Sequence, residues 1–442
     1  MNSQLDRDYR FWSLIRFALP TIVMMIFMSL YTIVDGAFIS RFVGPEALAA
    51  VNIVYPLVSL ALALGVMLAT GGSAVVARKL GEGREEAARS DFTLLLLTGG
   101  ALGLLFSVFG VLLLEPACRA LGASELLLPY CMDYLRVLML FAPAYILQLL
   151  FQSFFVTAGR PGLGLGLTIA SGLVNAVLDY VLIVPAGLGV TGAALATAAG
   201  YLVTAVPGVV FFLTRPAGLR FSRPRWDGRM LLHACGNGSS EMVTNLANAV
   251  VTFLFNLLML RYLGEDGVAS ITIVLYAQFL LTALFLGFSM GVAPVISFSY
   301  GAGNTARLRR LFRYCMVFVG ASSVLVLGSA LGLSRFVVGI FSPAGTAVFA
   351  LALDGFLKFS PAFLFAGLNI FSSAFFTALS DGLTSALISF ARTFGFLLLG
   401  LLLLPLALGV DGVWLAVPFA EVLCCVLSGI FLVWKRGKYR YA

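Results

Sequence analysis

The sequence predicts an all-α membrane protein with twelve transmembrane helices in two six-helix lobes, related by a pseudo-twofold axis along the membrane normal. Three observations carry that prediction. The 442 residues are 61% hydrophobic and only 11% charged, against roughly 25% charged in soluble domains, and the mean hydropathy is +1.03. Long apolar windows alternate with basic clusters. The chain also matches itself when it is slid along by 220 residues.

Windows able to cross about 30 Å of hydrocarbon lie near residues 15–39, 50–77, 92–114, 131–157, 163–185 and 190–213. A second set lies near 236–260, 268–298, 312–333, 352–378, 383–404 and 411–434. The first apolar block, from Leu14 to Ile39, is too long for the core of a cleavable leader and lacks an A-x-A-type exit, so it reads as the first spanning helix. Twelve spans place both termini on one side. Of the 28 basic residues, 21 lie in segments sharing a side with the N-terminus and four (Arg41, Arg119, Arg261, Arg335) in the opposite loops. That bias predicts a multi-pass protein of the cell membrane with both termini cytoplasmic.

The repeat sets "RFVGPEALAAVNIVYPLVSLALALG" (41–65) on "RYLGEDGVASITIVLYAQFLLTALF" (261–285) without a gap. Gly44/Gly264, Gly71/Gly291, Gly81/Gly301 and Gly83/Gly303 keep the same offset, as does "GLGVTGAALA" (187–196) on "ALGVDGVWLA" (407–416). Six spans per copy is an even number, so both copies keep one membrane orientation. The predicted division is an N-lobe at 1–213, a basic cytoplasmic linker at 214–234 and a C-lobe at 235–442. Two lobes facing across a cleft is the geometry of alternating access. A channel would need a filter-like re-entrant loop or a charged ring, and neither is present.

Composition excludes other classes. The net charge of +8 comes from residues flanking spans, with no aromatic-interleaved patch for nucleic acid. Six cysteines (Cys118, Cys131, Cys235, Cys315, Cys424, Cys425) form no CxxC and the one histidine is His233, so no metal or redox cofactor is expected. No HExxH motif or nucleophile–base pair suggests an enzyme. The bilayer is one expected partner, and because the chain supplies both sides of a cleft, a monomer suffices.

Helix 1 holds "SLYTIVDGAFISRF" (29–42), with one carboxylate amid apolar residues. Asp35 lies six residues before Arg41, about 9 Å below the outer boundary. In helix 5, "TIASGLVNAVLDYVLIVP" (168–185), Thr168, Ser171, Asn175 and Asp179 recur at spacings of 3, 4 and 4, forming one polar face. Asp179 is six residues before Pro185, and Thr197 is seven residues beyond Val190 in helix 6. Asp35, Asn175, Asp179 and Thr197 therefore share a depth. A carboxylate there costs about 3 kcal/mol or more unless it is protonated, paired or bound to a cation. No basic residue of that half lies at this depth. Two like charges in apolar surroundings can share a proton, and the neighbouring amide and hydroxyl oxygens equally suit a hard cation such as Na⁺. The aligned positions of the second copy hold Phe255 and Leu399, so the charge site belongs to one lobe.

"YTIVDGAFISRFVGPEALAAVNIVYPL", "KLGEGREEA", "NAVLDYVLI" and "GVTGAALAT" closely resemble the multidrug and toxic compound extrusion (MATE) transporters, nearest the bacterial branch with an Asp in helix 1. The likeness covers essentially the whole chain. It implies that Asp35, Asn175, Asp179 and Thr197 form the N-lobe cation site tied to H⁺ or Na⁺ coupling. It further implies antiport export of amphipathic, usually cationic, drugs. The aspartate of helix 10 in other branches has no counterpart, since Asp354 lies at the outer edge with Lys358 one turn on. The alternative is a lipid-linked oligosaccharide or peptidoglycan-precursor flippase of the same superfamily. That activity calls for several basic cavity residues, whereas only Arg136, Lys358 and Arg392 lie within spans.

Candidate substrate contacts are Glu241, Gln148, Gln152, Gln278, Asn369 and Met28. Glu241 lies in the inner half of helix 7; its placement resembles a helix 7 glutamate of another branch, although "GNGSSEMV" departs from that pattern. The amides either line the cavity or bond a neighbouring helix. Met28, with Met24, Met25 and Phe27, suits a pliable wall. Glu421 and Arg392 at mid-depth read as a structural ion pair, and Arg136 as a partner of Asp133. Pro20, Pro56, Pro143, Pro207, Pro294, Pro361 and Pro418 are candidate bends.

Overall fold

A backbone crossing hydrocarbon has no water for its amides, so each crossing segment must close its hydrogen bonds internally. The computed structural model describes residues 4–442, apart from the side chains of residues 33, 36, 37, 39, 40, 45 and 48, and every regular element among the described residues is helical. In chain order these are α1 (Phe11–Phe42), α2 (Pro45–Gly81), α3 (Glu85–Leu112), α4 (Leu114–Ala120), α5 (Leu128–Leu140), α6 (Ala142–Thr157), α7 (Pro161–Ile183) and α8 (Gly189–Thr214). The second half holds α9 (Gly228–Gly301), α10 (Thr305–Gly332), α11 (Ser334–Phe341), α12 (Ala347–Phe359), α13 (Ala362–Ala378), α14 (Gly382–Phe390), α15 (Leu397–Leu408) and α16 (Val410–Tyr439). A π-helical stretch, Ala391–Phe396, joins α14 to α15.

Nine described helical stretches are long and apolar enough to cross a bilayer, or eleven when the bent pairs α5–α6 and α12–α13 each count as one span. The two bends measure 55° and 56°. Pro143 lies in the first turn of α6, and Pro361 directly precedes α13. The other five candidate prolines sit inside helices, Pro294 in the second arm of α9 and the rest in α1, α2, α8 and α16. At 74 residues α9 would reach about 110 Å if straight. It is broken at Gly264, whose φ of 67° and ψ of −151° suit only glycine.

The linker is shorter than expected. α9 begins at Gly228 rather than after residue 234, because its first turns lie beyond the apolar window. Asp227 caps those turns, accepting from the Met230 amide at 3.0 Å.

The 220-residue repeat is visible in the elements. α3 and α10 keep that offset at both ends, as do the starts of α6 and α13. The left-handed glycines Gly44/Gly264, Gly83/Gly303 and Gly189/Gly409 keep it too. Each half uses the same turn at the same place.

The halves touch backbone to backbone at glycines. A Cβ on Gly71 would lie 2.0 Å from the Ala234 carbonyl oxygen, and one on Gly291 would strike Thr21 and Ala18. Gly81 abuts Phe298, and Gly301 abuts Arg78. All four glycines belong to the part of the bundle that bears the chain termini. There Leu5 and Tyr9 share a core cluster with Leu308, Tyr439 and Tyr441. Arg307, buried in that region, donates to the Arg7 carbonyl at 2.7 Å, to the Leu5 carbonyl, and to Asp6 at 3.3 Å.

Asp381, between α13 and α14, caps α14 and accepts from the Thr384 amide at 3.3 Å and the Tyr439 hydroxyl at 2.7 Å. Lys435 lies 3.2 Å away. Burial pushes this carboxyl up, but hydrogen bonds from Tyr439, Thr384 and Lys435 outweigh it and hold it below its ordinary 3.8. A depressed carboxyl stabilises fully above its unfolded value, and that contribution fades as pH falls through the folded one. Asp381→Asn should therefore lower Tm at neutral pH, with the gap to wild type closing as pH drops below 3.8. Thermal unfolding in detergent across that range measures it, and a pH-independent gap would contradict the assignment.

Candidate functional site

α7 is held between α1 and α8 by glycines. A Cβ on Gly172 would lie 2.6 Å from the Phe27 ring and 3.7 Å from Tyr31, so α1 rests directly on α7. On the other side Gly200 of α8 faces Ser171, whose hydroxyl donates to the Gly200 carbonyl at 2.7 Å. Small residues allow this approach where hydrocarbon provides no hydrophobic drive between helices.

The polar face of α7 then divides its members among three neighbours. Thr168 accepts from Gln152 Nε2 of α6 at 3.3 Å. Asn175 Nδ2 donates to Thr197 Oγ1 of α8, also at 3.3 Å. Asp179 turns to α1, where its carboxyl lies within hydrogen-bonding reach of Asp35. Asn175 and Asp179 are buried, at 1% and 2% exposure. The Oδ1 atoms of Asp35, Asn175 and Asp179 are all buried without a hydrogen-bond partner among the described residues. The structure thus brings all four predicted residues together.

Two carboxyls, one amide oxygen and one hydroxyl converge with no arginine or lysine paired to them among the described residues. Such a set could hold one proton between the carboxyls or one hard monovalent ion among the oxygens. No cluster of three His, Cys, Asp or Glu side chains fit for a metal occurs among the described residues.

Tyrosines wall this site, and the sequence reading missed them. Tyr31, Tyr134 and Tyr201, from α1, α5 and α8, lie close enough to interact electrostatically with the acidic pair. Tyr145 stacks on Tyr201 at 4.6 Å between ring centroids. Tyr55 of α2 is half exposed and interacts electrostatically with Tyr145 and Tyr201. Only Tyr31, one turn before Asp35, carried a local signal; the others arrive from distant sequence.

The remaining candidates scatter. Gln148 and Gln152 are buried in α6, the former with an unpartnered Oε1. Met28 on α1 and Gln278 on α9 are half-buried. Asn369, for which the sequence left cavity lining and an interhelical bond open, is fully enclosed between α13 and α16 and bonds across them. It donates to Glu421 Oε2 at 2.7 Å and accepts from Ser428 at 3.0 Å. Arg392, on the π-helical stretch, donates to Glu421 Oε1 through Nε at 2.8 Å and Nη2 at 2.6 Å, so the expected ion pair forms. Glu241, half-buried on the first arm of α9, faces Arg392 electrostatically without bonding it. Lys358 bridges Asp354 at 2.7 Å and Asp411 at 2.6 Å. The expected Asp133–Arg136 pair does not form among the described residues; both side chains are exposed on α5.

The MatE family model matches residues 20–181 and again 242–404, one copy in each half. The chain belongs to this family of MATE transporters. It is 22% identical over 433 residues to the multidrug export protein MepA of Staphylococcus aureus (strain NCTC 8325 / PS 47), covering 97% of this chain and 94% of that one. Among solved structures it resembles a MATE in complex with MaL6, with 21% identity, a TM-score of 0.93 and full coverage of both chains. An outward-facing multidrug resistance MATE family transporter of the MOP superfamily gives 22% identity and a TM-score of 0.91, over 100% of this chain and 99% of that one. At these identities the structures show a shared fold.

Two outcomes follow from this geometry. Gly172→Val should push α1 off α7 and destabilise by about 1–3 kcal/mol; spin labels at the exposed Leu30 and Leu173 should report a longer separation, and an unchanged distance would refute the contact. Arg392→Met leaves Glu421 as an uncompensated buried charge and should cost about 3–5 kcal/mol, whereas Arg392→Met with Glu421→Met should be nearly neutral. Thermal unfolding of the single and double variants separates the two cases.

Proposed function

We propose that this chain is a cation-coupled antiporter, driven by H⁺ or Na⁺, that exports amphipathic organic cations by alternating access. Counting the two arms of α9 separately brings the eleven spans to twelve. They form an N-lobe and a C-lobe of six helices each, joined by the basic linker, with the termini-bearing face in the cytoplasm. Glycine contacts close that face, so the state described opens outward. The similarity to MepA supports multidrug export as the transport carried out.

One observation carries the coupling assignment. Among the described residues no basic side chain pairs with Asp35 or Asp179, while Glu421 of the other lobe is neutralised by Arg392. A cation entering from outside settles on the pair and draws α1 onto α7; the organic cation in the cleft is then released outward. After the lobes rock, the cytoplasmic side receives the small cation. Differential affinity for the two states must supply the coupling. A one-unit pH difference provides about 1.4 kcal/mol per proton, enough for tenfold accumulation. Glu241, Met28 and Gln278, half-buried on α1 and α9, are the contacts open to the organic cation, and Gln148 and Gln152 lie behind the tyrosine wall. A flippase would need several free basic groups for pyrophosphate; Arg392 and Lys358 are already paired, which leaves Arg136 alone of the three, on an exposed position of α5.

In proteoliposomes, ethidium or norfloxacin efflux under separately imposed pH and Na⁺ gradients distinguishes the two ions. Asp35→Asn and Asp179→Asn should each cut gradient-driven efflux at least tenfold. Wild-type rates in either variant would overturn the mechanism.

A further inference from the structure

Residues 215–227 join the two halves, and a joint needs only slack. This one is fastened down. Leu219 is buried in a core cluster with Phe92 and Phe212, and Phe221 packs on Phe92 at 5.5 Å between centroids. The Ser222 amide donates to Thr93 Oγ1 at 3.0 Å and the Arg225 amide to Ser90 Oγ at 2.9 Å. Arg89 Nε donates to the Gly218 carbonyl at 2.8 Å. Ser90 and Thr93 lie just inside the start of α3, where its polar first turn gives way to "FTLLLL". The ribbon therefore runs along a spanning helix at the depth of the lipid headgroups.

Its other edge faces outward. Arg220, Arg223, Arg225 and Trp226 are exposed, followed by exposed Arg229 on the first turn of α9, and Trp226 shows 82% of its surface. The nearby acids are engaged elsewhere. Asp227 caps α9, Asp91 pairs with Lys79, and Glu85 with Arg89. Glu86 is exposed on α3, and among the described residues no carboxylate bridges to any of these four arginines. A loop serving only as a solvated connector has no use for an indole held almost wholly in the open. An indole prefers the membrane interface, and guanidinium forks match phosphate oxygens.

We propose that Arg220, Arg223, Arg225, Arg229 and Trp226 form a binding site for anionic phospholipid headgroups on the termini-bearing face. The buried edge of the ribbon fixes its height, and the outer edge presents four positive charges and one interfacial ring to the lipid phosphates. The proposal stands apart from the carboxyl pair and does not require the transport reading.

The test uses the full chain in vesicles, with Trp12→Phe and Trp434→Phe so that Trp226 reports above the buried Trp414. Brominated phosphatidylglycerol should quench Trp226 at a mole fraction at least tenfold lower than brominated phosphatidylcholine, and added salt should weaken that preference. Each charge near an anionic surface is worth roughly fivefold. Arg223→Gln with Arg225→Gln and Arg229→Gln should therefore abolish the preference, while the three Lys replacements keep most of it. Equal quenching by both lipids in the wild-type ribbon, or a preference that survives the three Gln replacements, would overturn the proposal.

Discussion

The packing of the first half turns on one contact, the seating of α1 on α7 at Gly172. It is close enough to bring Asp35 against Asp179, and among the described residues neither acid is paired with a basic side chain. An isolated carboxylate in hydrocarbon costs several kcal/mol unless it is protonated, paired or bound to a cation. The second half meets the same difficulty differently. Glu421 is held by Arg392 and Asn369, every polar atom of its head is bonded, and little is left to exchange. One half keeps an incomplete charge site while the other completes its own with a permanent partner.

The meeting of the halves follows similar logic. Gly71, Gly81, Gly291 and Gly301 let backbones touch where the termini lie, and Arg78 adds a cation–π contact to Tyr300 at 5.2 Å. Contacts between small residues gain van der Waals energy but no hydrophobic drive in lipid. They can therefore close one face firmly without making the closure irreversible. The bends of the α5–α6 and α12–α13 pairs, at 55° and 56°, recur in both halves.

Much of this was legible in the sequence. Composition and window length announced the spans, and the 220-residue offset anticipated the matching turns down to individual left-handed glycines. The 3-4-4 spacing on α7 placed Asn175 and Asp179 on one face, and depth counting brought Asp35 and Thr197 level with them. Mid-depth opposite charges also foretold the Arg392–Glu421 pair. What was not legible has a common character. For Asn369 the sequence left cavity wall and interhelical bond undecided, because spacing along one helix does not say which neighbour covers it. The start of α9 was set too late because hydropathy marks the apolar stretch rather than the helix, which continues to its cap at Asp227.

Local pattern alone settled that this is a helical membrane protein, internally repeated, with two acids and their polar neighbours at a shared depth. Periodicity and composition are properties of neighbours in the chain, so they survive without a structure. Only the tertiary arrangement decided that the acids face each other, that Tyr31, Tyr134 and Tyr201 come near enough to interact with them, and that the linker is a clamped ribbon. Those facts depend on how each helix is rotated against its neighbours. Rotation is set by which small residues let two backbones meet, and no single segment contains that information.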